Sequence, residues 1–247
     1  MVPKVALSTD LNRNNWQHLD PINDSVPGMS VDKAYTELIK DSEGQTVVVA
    51  VLDTGIDIKH EDLKGNIWTN KKEIPGNNID DDKNGFVDDV YGWNFLGEAY
   101  YEQLELTRLL GKGEDFPEKE DAQKDYDKRL AEARGEETLK YYLNYDFKGR
   151  TTGDDPDNFD QTYYGDNKVE HSREDESHGT HVAGIIAAAR NNNLGMKGVA
   201  NNVQIMTLRV VPYGDEYDKD IALGIIYAAD NGADIINTSF GKGFSPH

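Results

Sequence analysis

The chain has 247 residues, with 46 acidic and 26 basic side chains, no cysteine and a formal net charge of −20. That length suits one substantial α/β domain. The missing cysteines exclude disulfides and thiolate-based metal or redox sites, and the charge argues against nucleic acid, a polyanion, as a partner. No stretch approaches the ~20 apolar residues of a membrane span, and Met1-Val2-Pro3-Lys4 opens no signal-peptide core, so an exported parent would need a signal not carried here.

Residues 1–46 read as a polar lead-in. Pro21, Pro27 and Gly28 mark turns, and Ser30 is placed to cap a short helix with Ala34, Tyr35, Leu38 and Ile39 on its apolar face, ended by Gly44. Val47-Val48-Val49-Ala50-Val51-Leu52 is then an unbroken, mostly β-branched run. A strand covered on both faces of a parallel sheet has that composition. It leads into Asp53-Thr54-Gly55-Ile56-Asp57, which sets Asp53 just beyond the strand's carboxyl end, where open α/β sheets gather their functional groups.

Asp80, Asp82 and Asn84 alternate before Gly85 and are followed by Asp88, which is the first two-thirds of a calcium-loop pattern. Tyr91 stands where the last ligand belongs, so Asp89 is the expected substitute; the alternative is a hydrated acidic turn. Residues 90–95 look like a strand. Between 97 and 177 lie 23 acidic and 12 basic side chains, whose balance is over half of the net charge. Tyr100, Tyr101, Leu104, Leu106, Leu109 and Leu110 make one helical run, and Tyr126, Leu130, Leu139, Tyr142 and Leu143 suggest others. This segment reads as an acidic helical insertion, mostly solvated.

Ser177-His178-Gly179-Thr180-His181-Val182-Ala183-Gly184 reads as a helix start, with Ser177 as N-cap and Val182, Ile185, Ile186 and Ala189 as the buried face. The positive end of the helix dipole disfavours a protonated His178, a fit setting for a general base. His178 and His181 as half of a zinc site is the alternative, and it needs a third ligand. A strand over 203–211, a helix over 221–229 and a strand over 234–237 restore the α/β alternation of a parallel sheet.

An aspartate leaving a strand, then a histidine opening a helix, is the start of an Asp…His…Ser order. The stretches Val49-Ala50-Val51-Leu52-Asp53-Thr54-Gly55-Ile56-Asp57 and His178-Gly179-Thr180-His181-Val182-Ala183-Gly184 resemble the Asp and His signatures of the subtilisin-like serine peptidases. The resemblance implies a three-layer α/β fold with a parallel central sheet, incomplete on its C-terminal side, over 47–247, interrupted by the insertion at about 97–177. It implies His178 as base, Asp53 as its orienting partner and His181 as structural. It implies a calcium site from the side chains of Asp62 and Asn192 and the carbonyls of Arg190, Leu194 and Met196; Glu61 departs from the family's His-Pro-Asp-Leu segment. Ser239, Phe240 and Gly241 would line one wall of the substrate cleft and Gly214, Asp215 and Glu216 the opposite edge, whose acids hint at basic or polar substrate side chains. The resemblance also implies a peptide or protein substrate and an extracellular or cell-envelope location.

The family's Gly-Thr-Ser nucleophile segment has no match here: the only Gly-Thr is Gly179-Thr180, and Ser239 and Ser245 are the only serines after His178. The expectation is therefore a truncated serine endopeptidase, inactive alone, whose half-sheet associates with another copy. A non-catalytic calcium-binding module on the same fold is the rival reading. An aspartic peptidase built on Asp53-Thr54-Gly55 is disfavoured by the α/β alternation.

Overall fold

The computed structural model describes residues 14–40, 42, 44–171, 173 and 176–245; the first thirteen positions of the lead-in lie outside these. Four parallel strands, β1 (Val47–Asp53), β2 (Gly92–Asn94), β3 (Val203–Arg209) and β4 (Ile235–Thr238), form one sheet in the order β2-β3-β1-β4. The apolar run of β1 thus occupies the central position that its composition requires. Alternate residues feed opposite faces: Ala50 and Leu52 join Phe95, Met206, Leu223 and Tyr227 in one core, whereas Val49 and Val51 join Ile56, Leu63, Ala183 and Ala187 in the other. Each fully buried large aliphatic side chain contributes about 1.5–3 kcal/mol.

The helices flank those faces and give three layers. After α1 (Val31–Ala34), the insertion supplies α2 (Glu105–Lys112) and α3 (Lys119–Glu132); α4 (His178–Ala187) and α5 (Asp218–Asp230) then cover opposite sides of the sheet. Among the described residues no helix is long and apolar enough to cross a membrane.

Local expectations fail where tertiary contacts outbid propensity. The hydroxyl of Ser30 makes no cap and donates instead to Asp20 Oδ2 at 2.9 Å, and Leu38, expected on the apolar face, is exposed. On α4 the buried positions are Gly179, Ala183 and Ala187, small enough to lie against β1 and the loop that follows it, while Ile185 is exposed. The helical run expected from Tyr100 starts only at Glu105, because Tyr101 pairs in parallel with Tyr213 and residues 100–104 are drawn out beside the segment following β3.

The insertion has a core of its own, Leu106, Ala122, Tyr126 and Leu143, with the Tyr126 hydroxyl donating to the Leu143 carbonyl at 2.8 Å. It is moored by Arg150, whose guanidinium lies 2.9 Å from Asp220 on α5 and 2.7 Å from Asp154, which also takes the buried Lys219 Nζ at 2.6 Å.

Candidate active site

The carboxyl ends of β1, β3 and β4 lie at one edge of the sheet, so Asp53, the segment 213–216 and the segment 239–241 come together there. Asp53 is fixed from below: its side chain is 2% exposed and Oδ1 accepts the Thr54 amide at 2.8 Å. Above it stands His178, whose Nδ1 lies 2.9 Å from both Asp53 oxygens. A carboxylate only accepts hydrogen bonds, so Nδ1 carries a proton, and in the neutral ring the lone pair is then on Nε2. The His178 side chain is 58% exposed, which presents that nitrogen to anything in the cleft.

The residues around the pair explain its motifs. Gly55 adopts φ +112, and a Cβ there would meet the His171 amide at 2.9 Å; a Cβ on Gly179 would stand 2.3 Å from the Gly55 carbonyl oxygen. The two glycines let the mouth of α4 close onto the end of β1. Ser177 makes no side-chain cap, contrary to expectation; the Gly179 amide instead reaches the Thr54 hydroxyl at 3.4 Å, and Thr180 Oγ1 accepts the Asp57 amide at 2.9 Å. The capping groups thus come from β1 and its loop, which ties helix position to Asp53. His181 is exposed.

On the β3 side, Tyr213 engages the insertion through both backbone groups, donating to the Tyr100 carbonyl at 2.8 Å and accepting from Glu102 at 2.7 Å. Gly214 has φ +129, and a Cβ there would strike the Glu102 carbonyl at 2.1 Å. The acids of this edge do not face the cleft as expected: Asp215 accepts the Glu105 amide at 2.8 Å, holding the start of α2, and Glu216 is buried. Burial pushes both carboxyls upward. Beyond β4, Ser239 and Gly241 are exposed and Phe240 packs partly on the sheet core. Lys242 Nζ bridges the two edges, donating to the Glu216 carbonyl and to Glu105, each at 3.0 Å.

The expected calcium ligands divide into two cases. Asp62 is buried with its Oδ1 2.6 Å from Asn192 Nδ2, and a Cβ on Gly195 would lie 2.9 Å from Asp62 Oδ2, so the loop after α4 closes over this carboxylate and sets Leu194 and Met196 on either side of the contact. The Arg190 side chain turns away, pairing with Asp32. In the upstream loop, Asp80 and Asp82 do converge, but with Glu73, which sequence reasoning misses. Asn84 and Asp88 have partners within the loop. Asp88 accepts the amides of Gly76, Asn77 and Asn78 at 2.8–3.2 Å, and Asn84 is held by the Phe86 amide and Asp89. Asp89 is buried on the Tyr227 hydroxyl, Asn70 and Asn84. Among the described residues this carboxylate trio is the one group of three or more convergent ligand side chains, so His178 and His181 gain no third zinc ligand.

An α/β sheet with an aspartate–histidine pair at its carboxyl edge defines the class. The chain belongs to the subtilase family, whose profile (Peptidase_S8) matches residues 44–246. It is 28% identical to "Subtilisin-like protease 1" of Plasmodium berghei (strain Anka) over 211 residues, 83% of this chain and 23% of that protein. Over 72 residues it is 47% identical to "Cell wall-associated protease" of Bacillus subtilis (strain 168), 29% of this chain and 8% of that one. Over 66 residues it is 52% identical to "Thermophilic serine proteinase" of Bacillus sp. (strain AK1), 26% of this chain and 16% of that one. The chain spans about a fifth of the length of the Plasmodium relatives it matches.

Proposed function

We propose that this chain supplies the base half of an Asp-His-Ser triad in a serine endopeptidase. The observation that carries the reading is the Nδ1 of His178 set 2.9 Å from both oxygens of a buried Asp53, with the rest of the ring open. In such a triad, His178 Nε2 takes the proton of a serine outside this sequence as it attacks the scissile carbonyl, then returns it to the leaving amine. Asp53 holds the ring in the required tautomer and stabilises the imidazolium that forms. The extended segments at Gly214 and at Ser239, Phe240 and Gly241 are the edges along which a peptide would lie, and the protein substrate is met outside the cell or in its envelope. The test is labelling of the whole protein by a fluorophosphonate probe. Labelling abolished by His178→Ala and Asp53→Asn supports the triad; labelling indifferent to both, or absent throughout, overturns it in favour of a non-catalytic module.

Calcium would hold loops and take no part in the chemistry. The buried Asp62 carboxylate lies beside Asn192, and with the Asn192 amide turned and the carbonyls of Arg190, Leu194 and Met196 it would make an oxygen donor set suited to a hard cation. Glu73, Asp80 and Asp82 offer a second set. Added calcium is expected to raise the melting temperature and Asp62→Asn to remove most of that gain; a melting temperature indifferent to calcium and chelator would dismiss both sites.

A further inference from the structure

Arg209 ends β3 level with Asp53 on β1 and Asn94 on β2, and it is 1% exposed. Every N–H of its guanidinium has an acceptor. Nε donates to the Thr54 carbonyl at 3.0 Å, one terminal nitrogen to Asn94 Oδ1 at 3.3 Å and the Gly97 carbonyl at 3.1 Å, and the other to the Ala99 carbonyl at 2.8 Å and Glu176 Oε1 at 3.1 Å. The Glu176 side chain is wholly buried, and its second oxygen accepts the Arg173 amide at 3.2 Å.

Burying two charges costs several kcal/mol per ion, and well-packed apolar residues often do as well, so stability alone is a weak reason for this pair. Its connections supply a better one. Thr54 follows Asp53 and holds the Gly179 amide at the mouth of α4; Glu176 precedes His178 by two residues. We propose that Arg209 and Glu176 position the His178 ring over Asp53, the guanidinium fixing the end of β1 through Thr54 and the start of α4 through Glu176. Both partners of the Asp53–His178 bond then hang from one buried cation whose charge Glu176 balances. Both act through the backbone of the segments they hold, so both are positioning residues. The inference rests on the Asp53–His178 pair as the working site.

Among the described residues the other charged or titratable groups near the ends of β1 and α4 are Asp57 on the loop after β1, His181 on α4, the Lys59–Glu170 pair, His171 and the exposed Arg173. None of them replaces Glu176 on Arg209 in the arrangement above. NMR of the chain with 15N-labelled histidine reads the pair directly, through the exchange of the His178 Nδ1 proton and the ring titration, with Asp53→Asn as the reference for a lost bond. Glu176→Gln is expected to keep the fold while lowering the titration midpoint of His178 by about half a unit, since a negative charge is removed two residues from the ring. Arg209→Lys keeps the charge and loses the fork, so the midpoint stays while the Nδ1 proton exchanges about tenfold faster. That split is not produced by general loss of stability. If wild type differs from Asp53→Asn but both variants match wild type, the positioning role is wrong and the pair stands. If wild type matches Asp53→Asn, the pair itself is absent and both readings fall.

Discussion

Gly179 marks the close approach between the mouth of α4 and the end of β1, and that contact leaves no room for a side chain. A Cβ would stand 2.3 Å from the Gly55 carbonyl oxygen and 3.1 Å from Asp53 Cβ, both on a segment with no room to retreat. Gly179→Ala is therefore expected to cost about 1–3 kcal/mol and to push the ring of His178 off Asp53, seen as a lower melting temperature and loss of the Nδ1 proton signal. Glu102 sets a pH response of its own. Burial pushes it up to about 7, with Arg108 and Arg150 opposing, against an ordinary 4.5. The folded state then holds a proton that the unfolded state releases, so this contribution is complete below pH 4.5, declines as pH rises to about 7 and is level above. The swing is up to about 3 kcal/mol. Glu102→Gln should flatten that slope in urea midpoints taken from acid to alkaline pH and leave the variant more stable than wild type above neutrality.

At the level of elements, the sequence spoke clearly where one periodicity ruled. The run from Val47 to Leu52 has a single way to bury six apolar residues, and it is the central strand; Asp53 and His178 meet because the motifs around them contain the glycines that permit it. What stayed illegible depends on partners distant in sequence. Ser30 and Ser177 had capping residues' credentials but lost to Asp20 and to Thr54, and Asp215 carries the charge of a cleft acid while serving as a helix anchor. Arg209 and Glu73 escaped notice for the same reason, although a lone arginine closing an apolar strand and an acid shortly upstream of an acidic loop were visible signals. The mooring of the insertion follows this logic. Arg150→Met would leave Asp220 without its cation deep in the interface, a loss of about 3–5 kcal/mol. Hydrogen exchange should show α2 and α3 losing protection while β1 and β3 keep theirs; uniform loss would mean that arm and sheet unfold as one unit.

At the scale of the molecule, the flank beside β4 is uncovered among the described residues. β4 pairs on one side only, and Ile235 on it is 54% exposed, as is Ile226 on α5. An unpaired strand edge beside exposed aliphatic side chains invites pairing with a second copy. This chain is expected to sediment as a concentration-dependent dimer that Ile235→Lys shifts to monomer; a monomer at all concentrations would show that the flank is inert.

The position of β1 also sets the pace at which the molecule can assemble. It is the earliest strand among the described residues, yet it pairs with none of its sequence neighbours: Thr46 bonds to Asn202, 156 positions on, and the Val48 amide to Asp234, 186 positions on. Every ladder around the central strand must therefore wait for a long loop to close before any contact rewards it. The strand that carries Asp53 is thus made long before it is secured, and its apolar run stays exposed to misassociation for as long as synthesis and loop closure take.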